Sequence, residues 1–551
     1  MRILEASHRA VELMGFIVML AVFGAARGWC ADASDASTAT SGSSDPLLNL
    51  FIQKGYVTQE EAEKVKAEAD FNRTNGLANY PPAPSKWKIS DGIKNVELFG
   101  DIRLRYEDRE AKDPADGKID LERLRYALRL GLRGDALDDF YYGFRLDTSS
   151  NPRSPWVTMG TAASGTPYQG PFGKSTAGIN IGQIYLGWRP ENWVDVTLGK
   201  MSNPLYTTPM VWNANITPEG AAEKFKYTVG EADFFTIFGQ FLYQDTNPNE
   251  SSSGYFNLFN NDKSQGGLPF LLTWQGGVNY HLGEKVSFKV APVLYQYLRF
   301  NNGESPANNS SGYTPDFSGT YVGQGQLFGI SAIPAYYNLA GTTPGFDGFY
   351  ANQTGINDLL VLEIPFEWNI KLDKLNLRFF GDYAYNLEGA DRATAAYNAA
   401  HSFYFSASGP GIGTIDNKQF SSPQTHDVTA YQFGFGIGST NLVYGPMQGL
   451  VYGTSSAKNA WEFRTYWQHI EQYSLDPNLI DTDFFEGNEN LQGICVAFAY
   501  GFSSNVIGTV RYGYASRINN KLGTGGSGQD IPQMNPINNY SIFQVDLTLR
   551  F

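Results

Sequence analysis

From residue 95 onward, apolar and polar positions alternate along the chain. In "NVELFGDIRLRY" (95–106), Val96, Leu98, Ile102, Leu104 and Tyr106 share one face. In "LERLRYALRLGLR" (121–133), Leu124, Tyr126, Leu128, Leu130 and Leu132 do the same. Successive strand side chains point to opposite sides of a sheet, so period two predicts strands with one greasy and one wet face. About sixteen such stretches begin near residues 95, 121, 139, 179, 193, 221, 233, 271, 286, 357, 374, 429, 459, 492, 505 and 541, the pattern being weakest near 179, 221 and 271. The last one, "SIFQVDLTLRF" (541–551), runs to the final residue, with Phe543, Val545, Leu547, Leu549 and Phe551 on one face.

The connections sort into two kinds. "GDALDD", "RPEN", "GEA", "HLGEK", "LDK" and "SSN" are tight, and they alternate with long segments at roughly 107–120, 149–178, 201–220, 244–268, 300–356, 387–428, 474–491 and 518–540. Short turns at one end and long loops at the other predict an all-β chain folded as a transmembrane antiparallel β-barrel over 95–551. A soluble sandwich has no reason to sort its loops this way. The connection near 440–458 is long where a short one is expected, and a hidden hairpin there would make eighteen strands instead of sixteen. With residue 95 starting on the periplasmic side, every long segment falls outside and Phe551 returns to the periplasm as the end of the closing strand. Closure removes the unpaired edges that an open amphipathic sheet would expose.

Ahead of the barrel the chain has another character. Residues 1–33 carry Arg2, His8 and Arg9 before an apolar run from Leu13 to Ala26, then small residues, and read as a signal peptide cut after Ala31 or Ala33. Its removal would take Cys30 and leave Cys495 alone, so no intramolecular disulfide is expected. Residues 34–75 read as a periplasmic helical hairpin: Asp45–Pro46 opens a first helix that Gly55 stops, and Thr58 and Glu61 form a capping box for a second. Residues 76–94 are a Pro-rich linker.

Composition fits this picture: charged residues are only 17% and aromatics reach 15%, a mix that suits many strands with rings at boundaries. The net charge of −14 lies largely in tails and loops. The wet face of the strands is basic. Arg103, Arg105, Arg123, Arg125, Arg129 and Arg133 fall on it in the first two strands, and Arg145, Arg378, Arg464, Arg511 and Arg550 share that parity later. One arginine facing lipid near the midplane costs about 2–4 kcal/mol, so the ladder must face a watery lumen. Glu97, Asp101, Asp147, Glu363, Glu367, Asp382, Glu462 and Asp546 share the inner face. Two readings stay open: an ion-pair lattice bracing the wall, or a ladder giving a modest anion preference, since charged rings set pore selectivity. The third long segment, "GKMSNPLYTTPMVWNANITPEGAAEKF" (199–225), reads from its three prolines, two asparagines and Trp212 as a defined, packed loop. It resembles the third external loop of general porins, which folds inward, and that likeness implies a constriction lined by Tyr206, Trp212, Asn213, Asn215 and Glu219, a structured rim being the alternative.

"ELFGDIRLRYEDR", "RLRYALRLGLRG" and "NPLYTTPMVWNANITPEG", together with the preface "LLNLFIQKGYVTQEEAEKVKAEA", resemble the putative porin family of Gram-negative outer membranes, whose members include general and phosphate-selective types. The resemblance implies passive diffusion of small hydrophilic solutes through an outer-membrane channel, and anions would be among them if the arginine ladder is a selectivity element. It also implies delivery by the outer-membrane assembly machinery, for which the terminal Phe551 resembles the recognition signal. Porins often trimerise, which makes a homotrimer a candidate assembly, although the chain carries no interface signature. Loop three would be expected to hold more acids where Asn213 and Asn215 stand.

No cofactor, metal or nucleic-acid site is expected. The histidines are scattered without ligand spacing, "GTGGSG" (523–528) reads as a loop tip, and His469 near Ser474 is a weak basis for an enzyme. The rival functions are a dedicated phosphate- or carboxylate-selective channel and a structural or adhesive outer-membrane barrel with a sealed lumen.

Overall fold

The computed structural model describes residues 92–114, 116–137, 139–149, 154–160, 178–243, 269–299, 358–394, 422–439, 457–524 and 537–551, with Lys54 and Thr58 besides. The expected leader, the helical hairpin and most of the linker lie outside the described residues.

Sixteen antiparallel strands form one closed sheet. β1 (Glu97–Lys112), β2 (Lys118–Asp135), β3 (Phe140–Thr148), β4 (Ile179–Glu191), β5 (Val194–Lys200), β6 (Glu219–Val229), β7 (Ala232–Leu242) and β8 (Pro269–Leu282) make the first half. β9 runs in two segments, Val286–Val290 and Val293–Arg299, and so does β10, Leu360–Glu363 and Phe366–Lys371. β11 (Asn376–Asn386), β12 (Thr429–Gly438), β13 (Trp461–Ile470), β14 (Leu491–Gly501), β15 (Val506–Arg517) and β16 (Asn539–Arg550) complete it. A two-residue strand, Val157–Thr158, adds to β2 within the second loop.

The barrel closes through β1 and β16, which pair from Asp101↔Arg550 to Lys112↔Asn539. Gly100 and Phe551 continue the ladder with two backbone bonds of 2.9 and 3.1 Å. β12 and β13 pair directly over their whole lengths, from Ala430↔Ile470 to Gly438↔Glu462. No further hairpin can stand between them, so sixteen strands close the barrel and the eighteen-strand alternative falls.

The alternation behaves as the sequence predicts. Leu98, Ile102, Leu104, Leu124, Leu130 and Leu132 are exposed on the outer face, while Arg105, Glu107, Arg109, Arg125 and Arg129 are buried on the inner one. The weak pattern near 179 has a physical cause. The β3–β4 register slips between Arg145 and Leu146, so that Gly182 bulges out of the pairing. The slip turns Ile179 and Ile181 outward on odd numbers and Ile184 and Leu186 outward on even ones. A Cβ at the bulge would lie 2.4 Å from the Asp147 carboxyl, so a larger residue there would have to push that side chain aside.

The first long loop does not exist as expected. β1 extends to Lys112 and β2 starts at Lys118, leaving a tight turn in which Gly117 donates to Asp113 Oδ1 at 2.7 Å. The charged stretch "EDREAK" had masked an alternation that continues through Glu107 and Arg109.

Two prolines then interrupt the β9–β10 ladder, one on each strand and one position out of register with each other. Val290 pairs with Phe366 and Val293 with Glu363, so Pro292 and Pro365 occupy the gap between the two paired segments. Proline has no amide hydrogen to donate, and both strands break there. Beside this gap the lumen wall receives its first loop.

Candidate functional site: a lumen narrowed by two loops

Loop three (201–218) leaves β5 at Met201 and is closed at its base by the Met201 amide on the Pro218 carbonyl, 2.9 Å. Its first anchor sits at the proline gap. Gln275 on β8 donates to the Ala291 carbonyl (3.0 Å) and to the Tyr206 carbonyl (2.7 Å), and accepts from the Tyr206 amide (2.8 Å). The Tyr206 ring lies under the Lys289 ammonium, 3.7 Å from it. The next two residues reach two wall carboxyls: Thr207 donates to Glu363 at 2.6 Å and Thr208 donates to Asp382. Tyr295 also donates to Glu363, at 2.5 Å. Loop three is thus held inside the barrel by wall side chains from β8 to β11.

Beyond these anchors the chain turns, with the Val211 and Trp212 amides both on the Thr208 carbonyl. Trp212 is fully buried, edge-on to Phe241 and tilted over Tyr295. It packs the loop and lines no opening. Asn213 accepts from the Asn215 amide at 2.9 Å, and Asn215 accepts from Arg129 on β2. Of the five expected constriction residues, Tyr206, Trp212, Asn213 and Asn215 do lie in the infolded loop. Glu219 does not: it opens β6, is mostly exposed, and pairs with Lys200 across the base at 2.8 Å. Strand pairing at Lys200↔Glu219 takes it out of the loop.

Sequence reasoning missed a second infolded loop. Loop seven (471–490) enters the lumen and meets loop three, with the Asn213 amide on the Leu479 carbonyl (2.6 Å) and the Asp481 amide on the Pro209 carbonyl (3.0 Å). Asn213 Nδ2 adds a bond to Thr482 Oγ1 at 3.1 Å. Asp476 accepts from the Tyr243 and Tyr297 hydroxyls, each at 2.8 Å. Burial pushes the Asp476 pKa up despite these donors. Phe484 and Phe485 are buried with ring centroids 4.4 Å apart, and Phe484 fills the place where Gly513 has no side chain. The available signal was the apolar pair "FF" inside a segment otherwise dense in Asp, Asn and Glu.

The ladder arginines lie on the strand face opposite the exposed apolar side chains, and most of them are paired with acids. Arg103 grips Asp101 (2.6 and 3.1 Å), Arg145 grips Asp147 (2.6 and 2.7 Å), and Arg133 grips Glu97 at the exposed rim (2.6 and 2.9 Å). Arg123 and Arg125 both reach Glu107. Glu107 is fully buried and also meets Arg109 at 3.4 Å. Glu107 and Arg109 are missing from the sequence-based ladder because their segment read as loop. On the far side Arg378 pairs with Glu367 and Arg464 with Glu462, both beside Phe380.

Arg105 joins wall to loop. It grips Asp546 on β16 (2.6 and 2.7 Å) and Asp483 of loop seven (2.6 Å), with its guanidinium 4.2 Å from the Trp156 ring centroid. Asp483 also accepts from Arg511 and Gln544, each at 3.2 Å. Burial opposes ionisation of Asp483, but Arg105 and Arg511 outweigh it and hold the carboxyl well below the usual range. Neighbouring Asp481 goes the other way, raised by burial and by the Asp483 charge. A cavity of about 110 Å³ lies between the two loops and β1, β15 and β16, lined in part by Arg103, Arg105, Asn215, Asp483, Arg511 and Asp546.

A family profile described as putative porin matches residues 113–551, from the β1–β2 turn to the last residue. The chain belongs to that family. Among solved structures this porin is similar to the anion-selective porin from Comamonas acidovorans, at 9% identity over 83% of this chain and 99% of that one, TM-score 0.38. It is also similar to OmpT of Vibrio cholerae, at 8% identity over 84% and 99% of the two chains, TM-score 0.34. A third is a mutant of the Rh. blastica porin, at 10% identity over 83% and 100%, TM-score 0.33. No curated protein sequence matches the chain.

Proposed function

We propose that this porin is a passive outer-membrane channel for small hydrophilic solutes, narrowed by loops three and seven and weak in its charge preference. One observation carries the reading: the closed sixteen-strand barrel is apolar outside and lined with charge inside, and loop three is fixed within the lumen by Gln275, Glu363 and Asp382. Barrels of this size hold a channel, and a charged lining needs water. The pairing of Arg103, Arg105, Arg123, Arg125, Arg133 and Arg145 with acids supports the bracing role for the ladder. A guanidinium spent on a carboxylate has less to offer a passing anion. Export by a cleaved leader, delivery by the assembly machinery through Phe551 and a homotrimeric assembly belong to this proposal.

Planar-bilayer recording of the mature protein under a salt gradient tests it. Steady ohmic steps with a reversal potential close to zero are expected. A strongly anion-ward reversal would favour a dedicated phosphate or carboxylate channel. Folded, heat-modifiable protein that conducts nothing would favour the sealed, adhesive barrel.

A further inference from the structure

We propose that Asp483, carried into the lumen by loop seven, sets the charge selectivity of the pore by neutralising a wall sector that is basic on its own. The inference rests on the channel reading above and assigns its selectivity to one loop residue. The cavity between the loops shows the imbalance. Its lining carries three wall arginines, Arg103, Arg105 and Arg511, and one wall acid, Asp546, while Asp101 just outside the lining holds Arg103 at 2.6 Å. Loop seven supplies the two remaining acids, Asp481 and Asp483.

These two loop acids are not equivalent. Asp483 bridges Arg105 on β1 and Arg511 on β15, at 2.6 and 3.2 Å. Its side chain keeps 26% exposure, so an ion in the cavity meets its charge directly. Asp481 makes no ion pair within 4 Å among the described residues, so its charge is not committed to a wall arginine as that of Asp483 is. The charge balance of the sector therefore turns on Asp483. A charge lining a narrow water-filled passage acts on ions at close range, within a Debye length even at physiological salt.

Reversal potentials of wild type, Asp483→Asn and Arg511→Gln in planar bilayers, at low and at molar salt, test the assignment. At low salt Asp483→Asn is expected to raise the anion-to-cation permeability ratio by about twofold or more, and Arg511→Gln to lower it; both shifts fade in molar salt as screening takes over. Should Asp483→Asn fail to assemble, Asp483→Glu, which keeps the charge, and Arg511→Gln still carry the test: wild-type selectivity in the first with a cation-ward shift in the second supports it. A conducting wild type whose selectivity moves in none of the variants overturns the assignment while leaving the channel reading intact. So does an Asp483→Asn shift that persists unchanged in molar salt with enlarged conductance, because that reports a displaced loop. A silent wild type removes the channel reading itself, and this inference with it.

Discussion

Thr207 of loop three donates to the Glu363 carboxylate on β10 at 2.6 Å, deep in the lumen. Neighbouring Thr208 donates to Asp382 on β11, so two consecutive hydroxyls hold the loop to two adjacent strands. A net hydrogen bond of this kind is worth about 0.5–1.5 kcal/mol, and two of them on adjacent strands beside the Gln275 anchor favour the inward fold. Replacing both threonines by valine removes the donors at little change in shape. The double variant should conduct more, with noisier open steps, in single-channel records. A quiet, wild-type-sized trace would mean that Gln275 and loop seven hold loop three unaided.

Glu107 is the hub of the arginine sector, fully buried and within 4 Å of Arg105, Arg109, Arg123 and Arg125. Removing one partner from a buried ionic cluster costs about 3–5 kcal/mol, because uncompensated charge stays behind. Glu107→Gln should therefore lower the temperature of heat modification on gels markedly. Glu97→Gln, whose pair with Arg133 is exposed at the rim, should leave it nearly unchanged. Equal effects of the two would contradict the bracing role.

Asp358, two residues before β10, gives a pH dependence. Burial pushes its pKa up to about 7 even though Arg392 favours the ion. The folded state holds this proton more tightly than the unfolded chain does. Its contribution to stability is therefore present at acid pH and is lost as pH rises through about 7. Asp358→Asn should raise the unfolding temperature relative to wild type at about pH 8 and do little at about pH 4. The same gain at both values would show that the carboxyl is not a protonated group in the fold.

Barrel closure depends on Gly100. A Cβ there would lie 2.3 Å from the Arg129 carbonyl oxygen and 2.9 Å from the Phe551 ring. Gly100→Val should hinder the docking of the last strand on the first, and the fraction of heat-modifiable, folded protein recovered from refolding should fall. Deleting Phe551 removes two closing backbone bonds and should act in the same direction. Full recovery of either variant would show that β1 and β16 close without this corner.

The barrel wall was legible in the order of residues alone. Period two, with its starts near 95, 121 and 139 through to 541, named all sixteen strands, since a side chain's face in a strand follows from its own position. The inward direction of Arg103 to Arg145 followed from the cost of charge in lipid. Exceptions arose where a local rule had a nonlocal override: "EDREAK" is too charged to look like a strand until Glu107 is seen to serve arginines from two strands. Tertiary structure alone decided what fills the lumen. Loop seven's inward turn depends on partners far away in the chain, the Asn213 amide for Leu479 and Arg105 for Asp483, and no periodicity records them. Glu219 was misplaced for the same reason, because its pairing with Lys200 fixes where the loop ends. Whether an arginine is spent on a neighbour or left for a solute is likewise a matter of distances between strands, and the residue order does not contain them.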